Sequence, residues 1–197
     1  IVPLTTGSTL FKAGDSAAFH AVVTGSVSIA GEHGESDTAE SGDVVGMYLP
    51  NLPHAAAAML AVAKIGAIVL PMFSGFGADA ITQRLNDGRA VALITVDGSL
   101  RRGKPVSAKP VVDDALKQCP GVRHVVVLNH LTTPHGWTAG RDHWWHELAS
   151  GAPDDVASVP TEPMPADDPF LLMFTSGTSG KPKGVVHSHC GFPVKTA

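Results

Sequence analysis

The chain is poor in cysteine, has no excess of positive charge and carries no clean, long apolar run. Its two cysteines, Cys119 and Cys190, do not make a disulfide framework, and reduced thiols in a cytoplasm are the simpler expectation. Lysine and arginine number 14 against 18 aspartates and glutamates, for a formal net charge of −4. No overall basic character therefore argues for nucleic acid or an anionic membrane as a partner. The chain starts at Ile1, and no basic segment leads into an apolar run with a cleavage site, so no signal peptide is read. Residues 55–73 are the one candidate membrane span, but Lys64, Gly66 and Pro71 interrupt them. A helix followed by a buried strand is expected there instead. No internal repeat is found. The 44% hydrophobic and 16% charged residues are ordinary for a globular α/β protein, and 197 residues suffice for one well-buried domain.

From residue 42 onward, strand and helix patterns alternate. Residues 44–49 read as a strand, 54–65 as an alanine-rich helix begun after Pro53, and 67–72 as a strand. Residues 78–86 have helical spacing at Ile81 and Leu85, with Gly88 placed as a C′ glycine. Residues 90–96 read as strand, 111–118 as helix and 122–128 as strand. This alternation predicts an α/β fold, a mostly parallel sheet with helices on both faces. Residues 151–168, rich in proline, aspartate and alanine, read as an exposed connector into a buried strand at Phe170.

The richest stretch is 170–184, FLLMFTSGTSGKPKG. An apolar run stops at Thr175, and hydroxyls, glycines and lysines follow until the strand-like pair Val185-Val186. Gly177, Gly180 and Gly184 allow the backbone to approach a bulky anion, because no Cβ stands in the way. Thr175, Ser176, Thr178 and Ser179 supply hydroxyls, Lys181 and Lys183 supply charge, and successive N–H groups form a concave anion site. The loop suits the phosphates of a nucleotide triphosphate. It is not a Walker loop, which needs G-x-x-x-x-G-K-[ST] opening a helix. Here Gly-Lys comes too early, Pro182 stands where a hydroxyl would reach magnesium, and a strand pattern follows.

Residues 175–184 resemble the signature of the adenylate-forming (AMP-binding) superfamily, roughly T-S-G-[TS]-[TS]-G-x-P-K-G. GDVVGMYLPN (42–51), PMFSGFG (71–77), RLND (84–87), LITVDGSLRRGK (93–104), GRDHWWHEL (140–148) and KGVVHSHCGF (183–192) occur in the order seen in acetyl-CoA synthetase and its short-chain relatives. The resemblance covers residues 42–197 and implies the first part of the large N-terminal domain of such an enzyme. It implies ATP, Mg2+, coenzyme A and a short-chain carboxylate of the acetate or propionate type as reactants. Thr175, Ser176, Gly177, Thr178, Ser179, Gly180, Lys181, Lys183 and Gly184 would hold the ATP phosphates, with Thr175 and Lys183 acting in the chemistry. Arg101 and Lys104 would contact the nucleotide part of coenzyme A. The family's adenine-stacking loop, ribose-binding carboxylate, acyl pocket and C-terminal catalytic lysine fall outside the matched stretch. These residues alone are therefore not expected to complete catalysis, and the acid activated and the oligomeric state stay open.

Other patterns compete. Residues 75–80 fit G-x-G-x-x-A between a strand and a helix, with Asp97 about twenty residues on, which is close to a dinucleotide fingerprint. This leaves open a nucleotide- or dinucleotide-binding module without ligase activity. In the synthetase reading the same turn is structural. GSLRRGK (98–104) has Walker spacing, but Pro105 replaces the magnesium ligand. His143, His146, His187 and His189 have no spacing that suits zinc, so no metal site is assigned, and Trp144 and Trp145 are expected to pack a helix onto the core. Residues 1–41 form an incomplete β-rich segment, with a hairpin expected over 27–35. Residues 7–29 also resemble the first strands of a cyclic-nucleotide-binding β-roll, so a remnant sensor fused to the synthetase piece is a further alternative.

Overall fold

The computed structural model describes residues 19–22, 26–30, 36–39, 41–150, 161–175 and 182–191. Three short strands, β1 (Phe19–Val22), β2 (Ser26–Ala30) and β3 (Ser36–Ala39), form an antiparallel sheet in the order β1-β2-β3. Val27 pairs with Ala39 and Ala30 with Ser36, so a hairpin forms here, but its second strand lies beyond the 27–35 expected for it, and its turn lies outside the described residues.

The main sheet begins with β4 (Val44–Tyr48), followed by α1 (Pro53–Lys64), β5 (Ile68–Pro71), α2 (Ala78–Asp87) and β6 (Ala90–Val96). A hairpin, β7 (Gly98–Arg101) and β8 (Lys104–Ser107), precedes α3 (Lys109–Leu116) and β9 (His124–Leu128). Then come β10 (Asp142–Trp144), α4 (Trp145–Ser150), β11 (Pro169–Thr175) and β12 (Lys183–Ser188). The strand order is β10-β9-β6-β4-β5-β11-β12. Every neighbouring pair is parallel except β11 with β12.

The chain goes from β4 to β5 on one side, then crosses back through α2 to β6 on the other side of β4. Right-handed crossovers place α1 and α2 on opposite faces. In agreement, α2 packs on α3, and His54 of α1 meets Trp145 of α4 edge-on, with ring centroids 5.7 Å apart. Parallel strands covered on both faces read as continuous apolar runs. Val45, Met47, Leu93, Ile94, Val125, Val126 and Val127 are accordingly buried, together with Val62, Ile81, Leu85 and Val112 from the helices.

Helix ends follow local chemistry. Pro53 sits at the start of α1, where its missing N–H would have had no partner in any case. At the other end Gly66 takes φ +73°, with Gly66 N–H donating to Ala63 O and Ala67 N–H to Val62 O, a full Schellman closure. At the end of α2 the expectation fails. Gly88 keeps φ −80° and the left-handed position belongs to Arg89, φ 52°. Glycine is needed at 88 for space, because a Cβ there would lie 2.9 Å from both Arg84 O and Leu70 Cδ2.

Two other expectations shift. α3 begins at Lys109, earlier than the periodicity suggests, because Pro110 fits its first turn. The strand at Phe170 is buried only in its first half: Phe170 and Leu171 are covered, whereas Met173 is 42% exposed. β12 beside it is an exposed edge strand carrying Val185 and Val186 on the surface.

Candidate functional site at the carboxyl ends of the strands

Ligands of open α/β sheets bind outside the carboxyl ends of the strands, above all where the strand order reverses. In this sheet the reversal lies between β4 and β6. Two of the expected clusters stand along this edge.

The first is the mouth of the β11–β12 hairpin. Thr175 ends β11 and Lys183 opens β12, and the two are Cα partners in the ladder. Thr175 Oγ1 donates to Lys183 O at 3.4 Å, and both residues are exposed. The loop between them therefore leaves the sheet at the carboxyl end of β11, with one hydroxyl and one ammonium at its two feet. Ser176, Gly177, Thr178, Ser179, Gly180 and Lys181 lie outside the described residues. Gly184 lies inside β12, opposite Phe174. A Cβ there would approach Leu172 Cδ1 to 3.2 Å, so this glycine also serves the packing of the hairpin.

The second cluster is the β7–β8 hairpin, which rises directly after β6. Its turn uses Arg102 (φ 53°) and Gly103 (φ 75°), two successive left-handed residues, as a tight two-residue hairpin turn requires. The Walker-like spacing of 98–104 is thus built as two strands, not as a phosphate loop with a helix behind it. Arg101 and Lys104 are Cα partners across the turn and are exposed, with Arg102 between them. Burial raises the Tyr48 phenol above its ordinary range, and the charge of Arg101 offsets only part of that rise. In the strand order the two clusters are separated by β4 and β5, three strand spacings or about 14 Å. One elongated ligand, or two ligands meeting, could span that edge.

Tyr48, the chain's single tyrosine, closes β4, and nothing in the sequence marks it as a site residue. Its hydroxyl lies 2.9 Å from the carbonyls of both Ser74 and Phe76, tying the turn after β5 to β4. Phe76 is covered in turn by the Arg84 guanidinium, 4.1 Å from the ring centroid. The turn of 73–77 is therefore held by protein groups.

Asp97 corrects the dinucleotide reading. Its carboxylate is buried and accepts the N–H groups of His130 (2.7 Å), Leu131 (3.2 Å to each oxygen) and Thr133 (2.7 Å). Burial alone would raise this carboxyl; the N–H groups of His130, Thr133, Leu131 and Gly98 more than offset that and hold it below the usual carboxylate range. An acid so engaged is not available to a ribose hydroxyl.

Away from these two clusters, a buried ion cluster joins the start of α3 to the amino end of β10. Lys109, fully buried, donates to Asp113 Oδ1 (2.7 Å), Asp142 Oδ2 (2.8 Å) and Gly136 O (3.2 Å). Arg141 adds bonds to Asp142 Oδ1 (2.6 Å) and Asp113 Oδ1 (2.9 Å). The cluster's local traces are the i,i+4 spacing of Lys109 and Asp113 and the adjacent Arg141 and Asp142. Of Trp144 and Trp145, the second packs α4 onto the core as expected. Trp144 instead belongs to β10 and stacks on Trp137, with centroids 4.5 Å apart.

The AMP-binding enzyme family model matches residues 37–196. The chain belongs to the AMP-binding enzyme family. It is 44% identical over 158 residues to an acetyl-coenzyme A synthetase of Streptomyces avermitilis, covering 80% of this chain and 24% of that protein. It is 46% identical over 156 residues to an acetyl-coenzyme A synthetase of Pyrobaculum arsenaticum, covering 79% and 23%. Among solved structures, the acetoacetyl-CoA synthetase from Streptomyces lividans superposes with a TM-score of 0.71 at 33% identity, over 79% of this chain and 23% of that one. The chain thus spans about a quarter of the length of these relatives. Among the described residues no helix is long and apolar enough to cross a membrane; residues 55–73 hold most of α1, a tight connection and β5.

Proposed function

We propose that this member of the AMP-binding family works as the first part of an ATP-dependent acyl-CoA synthetase. It would activate a short-chain carboxylate, of the acetate or propionate type, to acyl-AMP and then transfer the acyl group to coenzyme A. The observation that carries the reading is the hydroxyl-, glycine- and lysine-rich loop hung between Thr175 and Lys183 at the carboxyl end of β11. It occurs in a chain about 45% identical to acetyl-CoA synthetases. We assign residues 42–197 to the AMP-binding unit and leave 1–41 as a β-rich segment of its own.

In the first half-reaction the carboxylate oxygen attacks the α-phosphorus of ATP and pyrophosphate leaves. Displacement at phosphorus asks the protein for positioning and charge stabilisation. The hydroxyls of Thr175, Ser176, Thr178 and Ser179 would donate to phosphate oxygens. Gly177 and Gly180 would let backbone N–H groups come close. Lys181 and Lys183 would face the charge that grows on the leaving pyrophosphate. The exposed Thr175 hydroxyl and Lys183 ammonium at the loop's feet fit a polyanion lying across this edge. Mg2+ would enter with the nucleotide and share the phosphate charge. In the second half-reaction the thiol of coenzyme A attacks the acyl carbon and AMP leaves. Arg101 and Lys104 would hold the phosphates of coenzyme A through charge-assisted bonds. Reduced thiols at Cys119 and Cys190, both free, accord with a cytoplasmic setting.

The test uses the full-length protein carrying this chain. Lys183→Ala should lower carboxylate-dependent ATP–pyrophosphate exchange by roughly ten- to hundredfold, the loss of one charge-assisted contact. Arg101→Ala should raise the apparent KM for coenzyme A by a similar factor and affect exchange far less. If Arg101→Ala lowered exchange as much as Lys183→Ala does, with the fold intact, the basic turn would belong to the ATP site and the coenzyme A assignment would be wrong.

A further inference from the structure

The β7–β8 hairpin should not hold its shape alone. Its strands are four residues each, and an isolated two-stranded hairpin is marginal in water. It buries little: Leu100 is 62% exposed and Val106 45%. Pro105 lies in β8 and has no N–H to give the ladder. Arg101 and Lys104 are directly opposed, and like charges at paired positions push strands apart. Yet the two cations can serve a ligand only if they are held in place.

What holds the hairpin lies at its root. Asp97, between β6 and β7, is completely buried and reaches in three directions. Its N–H donates to Leu128 O at 3.0 Å, joining the root to the end of β9. Its carbonyl accepts from Ala108 N–H (2.9 Å) and Lys109 N–H (3.1 Å), joining it to the start of α3 just beyond β8. Its carboxylate gathers the N–H groups of His130, Leu131 and Thr133 and pulls that loop over the hairpin base. The fit there is close: a Cβ on Gly98 would lie 2.8 Å from Thr133 Cγ2 and Oγ1 and 2.9 Å from Val106 O.

We propose that Asp97 is a positioning residue that clamps the root of the β7–β8 hairpin and so holds Arg101 and Lys104 at the carboxyl ends of β4 and β6. The functional side of this inference rests on the reading of Arg101 as a coenzyme A contact; the clamp itself does not. Asp97 touches no reacting atom. Its loss acts through the hairpin, on a second-substrate contact, and leaves the distant Thr175–Lys183 mouth in place.

The experiment compares Asp97→Asn, Gly98→Ala and Arg101→Ala in the full-length protein. Asparagine keeps one acceptor oxygen but turns an NH2 group toward N–H donors. Gly98→Ala leaves the carboxylate untouched and wedges the root open through Thr133 and the Val106 carbonyl, so it decides the matter if Asp97→Asn does not fold. Two readouts are taken. Hydrogen exchange should show lost protection across residues 98–107 in both root variants, with β4 and β6 still protected. The apparent KM for coenzyme A should rise roughly tenfold, because misplacing a binding group by about 1 Å is costly, while pyrophosphate exchange changes less than twofold. Unchanged protection of 98–107 in the root variants would overturn the clamp. Lost protection with an unchanged KM, when Arg101→Ala does raise it, would overturn the positioning role. If Arg101→Ala leaves KM alone, the coenzyme A reading fails instead, and the clamp is judged on hydrogen exchange.

Discussion

Replacing Lys109 with methionine tests how far the joint between α3 and the start of β10 depends on one buried charge. Methionine fills the space of the lysine stem, so the loss is electrostatic and little of it is a cavity. Three acceptors each lose one donor: Asp142 Oδ2, Asp113 Oδ1 and Gly136 O. Asp113 is part-exposed, with a side chain 25% accessible, and water can replace the lost bond there. Asp142 cannot recruit water in this way, since its side chain is fully buried. It keeps Arg141 Nε at 2.6 Å and Thr138 N–H at 2.9 Å, which places the loss toward the lower end of the range for a broken buried pair, about 3–5 kcal/mol. For a domain of this size that is a fall in Tm of roughly 6–20 °C. The assay is urea unfolding of the single variants Lys109→Met and Asp142→Asn and of the double variant. Once the carboxylate is gone the methionine should cost less, so the double variant should lose at least about 1 kcal/mol less than the two singles added together. A loss below about 1 kcal/mol for Lys109→Met, or strict additivity in the cycle, would refute the reasoning.

The acid side of the stability profile follows from the same groups. At Asp142, burial pushes the carboxyl up, but bonds from Arg141, Lys109 and Thr138 more than offset this and leave it below the usual carboxylate range, as at Asp97. A carboxyl whose folded pKa lies below its unfolded value gives stability that is complete above the unfolded pKa and is lost as pH falls through the folded one. Unfolding midpoints should therefore drop steeply below about pH 4, and less steeply in Asp142→Asn. His143 is lowered by burial, with Asp142 opposing. The unfolded chain then takes up the proton first, and stability should already decline as pH falls below about 6.5; His143→Gln should flatten that part of the curve between about pH 7 and 5. Gly46→Ala should cost about 1–3 kcal/mol through overpacking, because the new Cβ would lie 2.7 Å from Leu85 Cδ2 and 3.0 Å from Leu93 Cδ1. It should move the urea midpoint without changing the slope, and an unchanged midpoint would show that α2 yields freely.

Much of this protein is written locally. The apolar runs at β4, β6 and β9 are legible because a strand buried on both faces has no polar face to confuse the pattern. The helix starts at Pro53 and at Lys109, beside Pro110, and the closure at Gly66 depend on backbone chemistry that acts within a turn. The phosphate-loop reading likewise rests on one contiguous stretch, and its placement at a strand's carboxyl end follows from the strand before it. The rest was decided by residues far apart in sequence. Gly88 looks like a left-handed cap, yet its smallness serves Leu70 on a neighbouring strand, and Arg89 takes the left-handed position instead. The basic turn of 98–104 makes its own hairpin, but its root is tied down by Asp97, through partners as distant as Thr133. Lys109 reads as a surface lysine beside a proline until Asp142 is brought against it across 33 residues. Local propensity and periodicity reach a few residues along the chain. A buried charge or a close backbone approach depends on which elements the sheet order sets side by side, and only the folded structure supplies that.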